Sequence, residues 1–280
     1  MLINLLIDFH THVFPDALAP RAIASLAAQA DETPSTDGTV AGLLASMKAA
    51  GITHSVTLPV LTKVEQFDKV NEYAASLEGV PGIIPFGGAH PDDDNIDAHL
   101  DRLVSLGLRG IKLHPAYQHT FVDDERYVRL IRGAVERGLV VLLHSGFDAG
   151  FPDELHCSPE RAARMLDLVG EAGRGRIVLA HSGANKLADD VIRHLAGRDV
   201  YFDLGYTLGN DDPAVTARII RAHGAHRILF ATDSPWNDQS EDVRRLDMLG
   251  LTPFERALIA WHNAGRLLGM KRSELAQSAV

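Results

Sequence analysis

One pattern runs along the whole chain and limits what it can become. A short apolar run is followed by a stretch of helical spacing, and the alternation repeats eight times. The apolar runs cover residues 5–12, 54–59, 82–87, 109–114, 139–144, 176–181, 200–204 and 227–233. Short apolar runs bounded by turn residues read as buried strands. Several stretches between them end on a glycine, as helices do: 40–50 at Gly51, 96–106 at Gly107, 124–137 at Gly138 and 213–223 at Gly224. Strands that alternate with helices pair in parallel, because each crossover brings the chain back to the same end of the sheet. Eight such units in 280 residues predict an α/β fold, a (β/α)8 TIM barrel forming a single domain over residues 1–280. An open doubly wound sheet would carry Gly-x-Gly-x-x-Gly after the first strand, and none follows here.

In a parallel barrel the carboxyl ends of all strands share one rim, where the active sites of this fold lie. The polar residues at those ends are His10 and His12, His90, Lys112 and His114, His144, His181 and Asp233. His10 and His12 are two apart and so face the same side of a strand, as chelation of one ion requires. The chain has 14 histidines, so one such pair could arise by accident; ligand-type residues at the same end of so many strands could not. His99, His194, His223, His226 and His262 fall in predicted helices or the loops leaving them, and His54 opens strand two, so these are expected to be structural. His119 and His156 lie in loops on the rim side.

Imidazole and carboxylate together suit Zn(2+) or another borderline divalent metal. His10, His12, His144 and Asp233 would supply such a set with a position left for water. His181 is then a ligand of a second metal or a free acid/base beside the first. Lys112 shares a face with His114 and has three possible uses. It could be carboxylated and bridge metals, meet an anionic group of the substrate, or pair with a buried acid. Tyr117, Phe147, Phe151, Tyr206 and Trp236 follow strands four, five, seven and eight, and either wall a pocket or pack as loop hydrophobics. The expected substrate contacts are Lys112, His114, His90, Tyr117 and Trp236.

Composition narrows the partners. The net charge of −10, without any cluster of Lys and Arg, argues against nucleic acid or an anionic membrane surface. Cys157 is the single cysteine, so no disulfide forms within the chain; a reducing cytoplasmic setting fits, and a structural role is expected for the thiol. The N-terminal apolar run is short, is interrupted by Asn4 and breaks at Asp8, so neither a signal peptide nor a membrane span is expected. The expected partner is a small-molecule substrate; a homo-oligomer is left open.

Asp8-Phe9-His10-Thr11-His12, a histidine ending each of strands five and six, and Ala231-Thr232-Asp233-Ser234-Pro235 after strand eight resemble the amidohydrolase superfamily. Gly110-Ile111-Lys112-Leu113-His114-Pro115 and the closing Asn263-Ala264-Gly265-Arg266-Leu267-Leu268 are similar to the amidohydrolase 2 branch. That branch includes hydrolases and non-oxidative decarboxylases such as the aminocarboxymuconate semialdehyde decarboxylases. The resemblance runs from Asp8 to Leu268 and implies a distorted (β/α)8 barrel with a metal at the positions named. It departs at strand four, where relatives with two metals carry a bridging Glu or carboxylated Lys and this chain offers only Lys112. Two close dications repel strongly without a shared bridge, so one metal per chain is expected.

The leading expectation is a metal-dependent hydrolase that opens an amide, cyclic amide or lactone with a metal-activated water. Asp233 would act as general base, the metal or His181 would polarise the carbonyl, and Asp233 or His181 would protonate the leaving group. The alternative is decarboxylation of an aromatic or muconate-type acid, with Asp233 or His181 protonating the carbon that loses carbon dioxide. The acidic charge and the missing strand-four Glu weigh against a phosphodiesterase or deoxyribonuclease. A non-catalytic barrel would have lost rim ligands, and none is lost here.

Overall fold

The structure, a computed structural model, describes residues 4–280. Every expected apolar run contains a strand: β1 (Ile7–Thr11), β2 (His54–Thr57), β3 (Ile83–Pro85), β4 (Gly87–Gly88), β5 (Gly110–Leu113), β6 (Val140–Leu143), β7 (Ile177–Leu179), β8 (Tyr201–Asp203) and β9 (Ile228–Leu229). The run at 82–87 yields two strands instead of one. Pro85 has no N–H to give to a ladder, so pairing stops there and resumes at Gly87. β1 pairs with β2 in parallel, and so do successive strands from β4 to β8, as the alternation requires. The chain forms two compact units, one of residues up to Thr57 with Gly79–Ile84 and Asp203–Val280, the other of Leu58–Glu78 with Pro85–Phe202.

In the first unit β1 is buried along its whole length and pairs with β2, Ile7 opposite His54 and Asp8 opposite Ser55, with a shift of register before Thr11 meets Thr57. Its other side is taken by residues 230–234. Phe9 N–H donates to the Phe230 carbonyl (2.9 Å), Asp233 N–H to His10 (2.8 Å) and His12 N–H to Ser234 (2.7 Å). Around these lie helices Ala19–Ala30, Val40–Ala50, Pro213–His223 and Gln239–Met248. The closing helical stretch begins at Pro253–Ala257 behind a Thr252–Glu255 capping box. It widens into a π-helical segment at Leu258–His262 and ends as Asn263–Leu268. Asn263 is completely buried, and its amide donates to the carbonyls of Ala225 (2.8 Å) and Ile228 (2.7 Å). The closing sequence motif thus anchors the start of β9. Helices Thr207–Asn210 and Arg272–Ser278 were not expected from the sequence; the first is a single turn and the second lies beyond the last apolar period.

In the second unit β4 to β8 lie side by side in chain order, with helices Phe67–Ser76, Ile96–Ser105, Glu125–Glu136, Pro159–Val169 and Ala188–His194 between them. β6 is uniformly apolar and fully buried, the composition of a parallel strand covered on both faces. Gly110 opens β5 because a side chain there would meet the Phe86 ring at 2.4 Å and the Val140 carbonyl at 2.6 Å. Asn71 holds β4 in place: its carbonyl accepts the Gly88 N–H (2.8 Å) and its amide donates to the Gly88 carbonyl (3.0 Å). No helix among the described residues is long and apolar enough to cross a membrane.

Histidines away from the strand ends have structural surroundings. His99 hydrogen-bonds Asp93 and stacks on Phe67 at 3.9 Å. His223 is buried. His54 is buried between the hydroxyls of Thr53 (3.1 Å) and Ser278 (3.0 Å), and burial pushes its imidazole down to about 4. A histidine depressed in the fold but normal when unfolded stabilises the protein above its unfolded value, near 6.5; that stability is lost as pH falls through the folded value, near 4. His54→Gln is therefore expected to flatten the loss of stability between pH 7 and pH 4, by up to about 2 kcal/mol. Urea unfolding of both proteins at several pH values measures it, and parallel pH profiles would exclude His54 as a source of acid lability.

Candidate active site

The first unit brings three expected ligands together. His10 and His12 lie on and just after β1, and Asp233 follows β9; the backbone bond from Asp233 N–H to the His10 carbonyl sets them side by side. Asp233 Oδ1 is 3.3 Å from His10 Nε2 and 3.1 Å from His12 Nε2, and the two imidazoles meet edge to face at 5.1 Å. The i, i+2 spacing has done what a strand should make it do.

Asp203, at the end of β8, was not singled out in the sequence. It is completely buried, and its Oδ2 lies 2.9 Å from His10 Nδ1. A carboxylate there places the imidazole proton on Nδ1 and turns the Nε2 lone pair outward, the usual support of a metal-binding histidine. That lone pair faces the Asp233 carboxylate, and a dication between them would satisfy His10 Nε2, His12 Nε2 and Asp233 Oδ1 at once. The donor set fits a divalent metal on this ground. Gly205 makes room for the pair, since a side chain there would lie 3.2 Å from His10 Nδ1 and 3.1 Å from Asp203 Oδ1. An acid at the end of strand seven was a visible signal, overlooked in favour of histidines.

Asp8 is also buried beneath these ligands. Burial pushes its carboxyl up to about 7, against hydrogen bonds from Thr232, Gln239 and the His10 backbone that pull it down. Trp236 is half-buried and reaches the group through its backbone, donating its N–H to the Asp233 carbonyl (2.9 Å). Tyr206 donates its hydroxyl to Glu32 (2.6 Å).

The second unit collects Lys112, His114, His144 and His181 at the ends of β5, β6 and β7. His114 and His144 stack nearly parallel at 4.1 Å. His144 Nδ1 is 3.0 Å from His181 Nε2. The carboxylate of Asp148, from the loop after β6, approaches Nε2 of both stacked rings, at 3.3 Å for His114 and 3.5 Å for His144. Lys112 is buried. Burial holds His144 well below the ordinary imidazole value, with further lowering from His114, His181 and Lys112, while Asp148 opposes it. His114, His144 and Asp148 are spaced so that they too could hold an ion. Asp148 was missed because nothing in a loop sequence says which way an acid will point.

Tyr117 stands edge-on to His114 at 4.5 Å; burial and then Asp148 push its hydroxyl up to about 12. His90 follows β4, and its Nδ1 accepts the Asp92 N–H (3.2 Å). Burial holds its imidazole below the ordinary value. Phe151 packs against Tyr117 (5.0 Å) and His119 (5.6 Å), and His156 stacks on Phe121 (5.2 Å). Tyr117 and Phe151 therefore pack on each other, whereas Phe147 is exposed. Cys157 is buried, and its thiol is pushed up to about 12 by burial, which suits an inert structural residue.

Seven non-glycine residues among those described have a positive φ, and three of them lie at these strand ends. His181 (φ 60°), Ser182 (φ 57°) and Asp233 (φ 67°) adopt the left-handed conformation that non-glycine residues avoid, at a cost of about 1–2 kcal/mol each. Such strain persists where the surrounding structure holds the residue in place.

The amidohydrolase family model matches residues 7–270. The chain belongs to the amidohydrolase family. It is an enzyme of the amidohydrolase 2 branch expected from the motifs. Among curated proteins none matches it. Solved structures match over 95% of the chain. One is an uncharacterised TIM-barrel protein from Bordetella bronchiseptica (21% identity, 99% of that chain, TM-score 0.73). Another is a dihydroxybenzoic acid decarboxylase from Polaromonas sp. JS666 with bound manganese and an inhibitor, 2-nitroresorcinol (16% identity, 97% of that chain, TM-score 0.69). A third is a probable 2-pyrone-4,6-dicarboxylic acid hydrolase from Acinetobacter baumannii with citric acid bound (15% identity, 100% of that chain, TM-score 0.65). These likenesses show the fold, the TIM barrel of the amidohydrolases, as expected from the strand and helix alternation.

Asp203 accepts both the Gly205 N–H at Oδ1 and the His10 ring at Oδ2, whereas an amide could accept only one. Asp203→Asn is expected to weaken divalent-metal binding about 10- to 100-fold with the fold retained. Competition titration against a chelator measures this, and an unchanged dissociation constant would rule His10 Nε2 out as a donor.

Proposed function

We propose that this enzyme is a metal-dependent, non-oxidative decarboxylase of a hydroxylated aromatic or muconate-type acid. The sequence ranks hydrolysis first. Decarboxylases of the same fold, two of them with manganese, support the reverse order. The observation that carries the metal part is the convergence of His10, His12 and Asp233 with Asp203 behind His10. In this reading those three residues hold one divalent ion. Two imidazoles and a carboxylate suit Zn(2+) and Mn(2+) alike. When bound, the ion supplies Lewis acidity toward a substrate oxygen.

The protein residues do the rest. Lys112 meets a substrate carboxylate or phenolate as a buried cation, and His114, Tyr117, His90 and Trp236 line the substrate. The bond between the ring carbon and its carboxyl group breaks, its electron pair stays on the carbon, and carbon dioxide leaves. His181, hydrogen-bonded through Nε2 to His144, delivers the proton that the carbon takes up. Asp233 keeps the ligand geometry and can exchange a proton with the same site.

A second reading is hydrolysis of a lactone or cyclic amide, with Asp233 as general base. The similar pyrone hydrolase supports it. A single screen separates the two. Metal-reconstituted enzyme is offered hydroxybenzoates, carboxyvanillates and muconate-type acids, with carbon dioxide release measured, and pyrones, lactones and cyclic amides, with ring opening measured. Carbon dioxide release is expected; ring opening without it would replace decarboxylation by hydrolysis.

Elemental analysis is expected to find one divalent ion per chain, lost on chelation together with activity. Two ions, with a carboxylated Lys112, would overturn the single-metal assignment. Asp233→Asn is expected to lower turnover by about 10²–10⁴-fold while leaving the melting temperature nearly unchanged. Activity within about twofold of wild type would remove Asp233 from the reaction.

A further inference from the structure

Asp8 has no part in the chemistry above, yet its carboxylate accepts four hydrogen bonds. Its Oδ1 accepts the backbone N–H of His10 (3.2 Å) and of Thr232 (3.0 Å). Its Oδ2 accepts the Thr232 hydroxyl (2.6 Å) and the Gln239 amide (2.7 Å). One buried carboxylate thus joins three elements: the strand of His10 and His12, the residue before Asp233, and the first residue of helix Gln239–Met248. Thr232 Oγ1 in turn accepts the Ser234 N–H (3.1 Å), so the residues on both sides of Asp233 are tied into the same network. Between them Asp233 holds a left-handed backbone that a non-glycine residue relaxes unless its neighbours prevent it.

We propose that Asp8 is the positioning residue of the metal centre: it clamps Thr232, and with it Asp233, against the strand that carries His10 and His12, and so fixes the spacing of the three donors. This rests on the reading that those three residues hold the metal. The clamp works through the number and direction of its hydrogen bonds. Gln239 Oε1 is buried without a hydrogen bond, so the Gln239 amide can turn over and accept from an amide at position 8. Asp8→Asn can then keep contacts to both backbone N–H groups, to Thr232 and to Gln239. Asp8→Ala keeps none of them.

The test uses the full chain, stripped of metal by chelation and titrated with Mn(2+) and Co(2+). Dissociation constants come from chelator competition, ligand geometry from the visible bands of the cobalt form, and folding from thermal melts of the metal-free proteins. Asp8→Ala is expected to weaken binding at least about tenfold and to change the cobalt bands, with Asp8→Asn restoring affinity to within about threefold of wild type. Thr232→Val keeps the side-chain shape and removes only the hydroxyl contacts; it is expected to weaken binding less than Asp8→Ala and in the same direction, and it decides the matter if Asp8→Ala does not fold. Wild-type affinity and bands in the folded Asp8→Ala or Thr232→Val protein would overturn the proposal. So would an Asp8→Asn protein as weak as Asp8→Ala, because charge and not the clamp would then be what matters. Metal binding by His10→Ala and His12→Ala as tight as wild type would instead overturn the ligand assignment, and the clamp with it.

Discussion

The candidate metal ligands of the first unit depend on one backbone pairing, that of β1 with residues 230–234. The N–H of Asp233 donates to the carbonyl of His10, and the N–H of His12 to the carbonyl of Ser234. These bonds fix which side chains become neighbours before any side chain contributes. The strand period then turns His10 and His12 to the same side, and the left-handed backbone at Asp233 turns its carboxylate back toward them. Each step is a local conformational rule, and together they bring three donors from opposite ends of the chain to one point.

The supporting groups follow the same order. Asp203 reaches His10 because β8 ends next to Gly205, whose missing side chain leaves space between the carboxylate and the ring. Asn263 secures the first residues of β9 from the closing helical stretch. The second unit has a comparable device after β6 and β7, where the Ser145 hydroxyl donates to the Gly183 carbonyl (2.7 Å) and Gly146 passes so close to Asn185 that a side chain would meet its backbone nitrogen at 2.1 Å. The paired Ser-Gly steps that follow His144 and His181 in the sequence are therefore a packing requirement, and they hold the two histidines that precede them 3.0 Å apart.

Much of this was legible in the sequence because it depends on period. Strand alternation gave the fold class, and the two-residue spacing gave the shared side for His10 and His12. The ends of the runs gave Lys112, His114, His144 and His181. What was not legible depends on partners. Asp203 ends a strand like the rest, yet its use is clear only once His10 is seen beside it. Asp8 stood inside the motif with no assigned task, because a buried acid declares its role through the groups it accepts from. The break at Phe86 follows from Pro85, a signal present in the run and outweighed by its apolar character. The turn at Thr207–Asn210 is too short for any periodic signal.

The hardest residue to foresee was Asp148, and its setting shows why loops decide what the strand ends leave open. Its Oδ1 accepts the Gly150 N–H (2.7 Å), a turn made by the loop itself, and this frees Oδ2 to face the stacked imidazoles. Two rings stacked at 4.1 Å cannot both be cationic without strong repulsion, and the low proton affinity that burial gives His144 removes that conflict. The stack therefore presents a neutral imidazole to a loop carboxylate, with a buried lysine on the neighbouring strand β5. An anionic group entering such a cluster would gain from Lys112 and lose to Asp148, so its discrimination depends on a side chain set by a turn two residues long. Strand ends can be shared throughout a family while such turns differ, so loops of this kind set specificity on a common frame of strands.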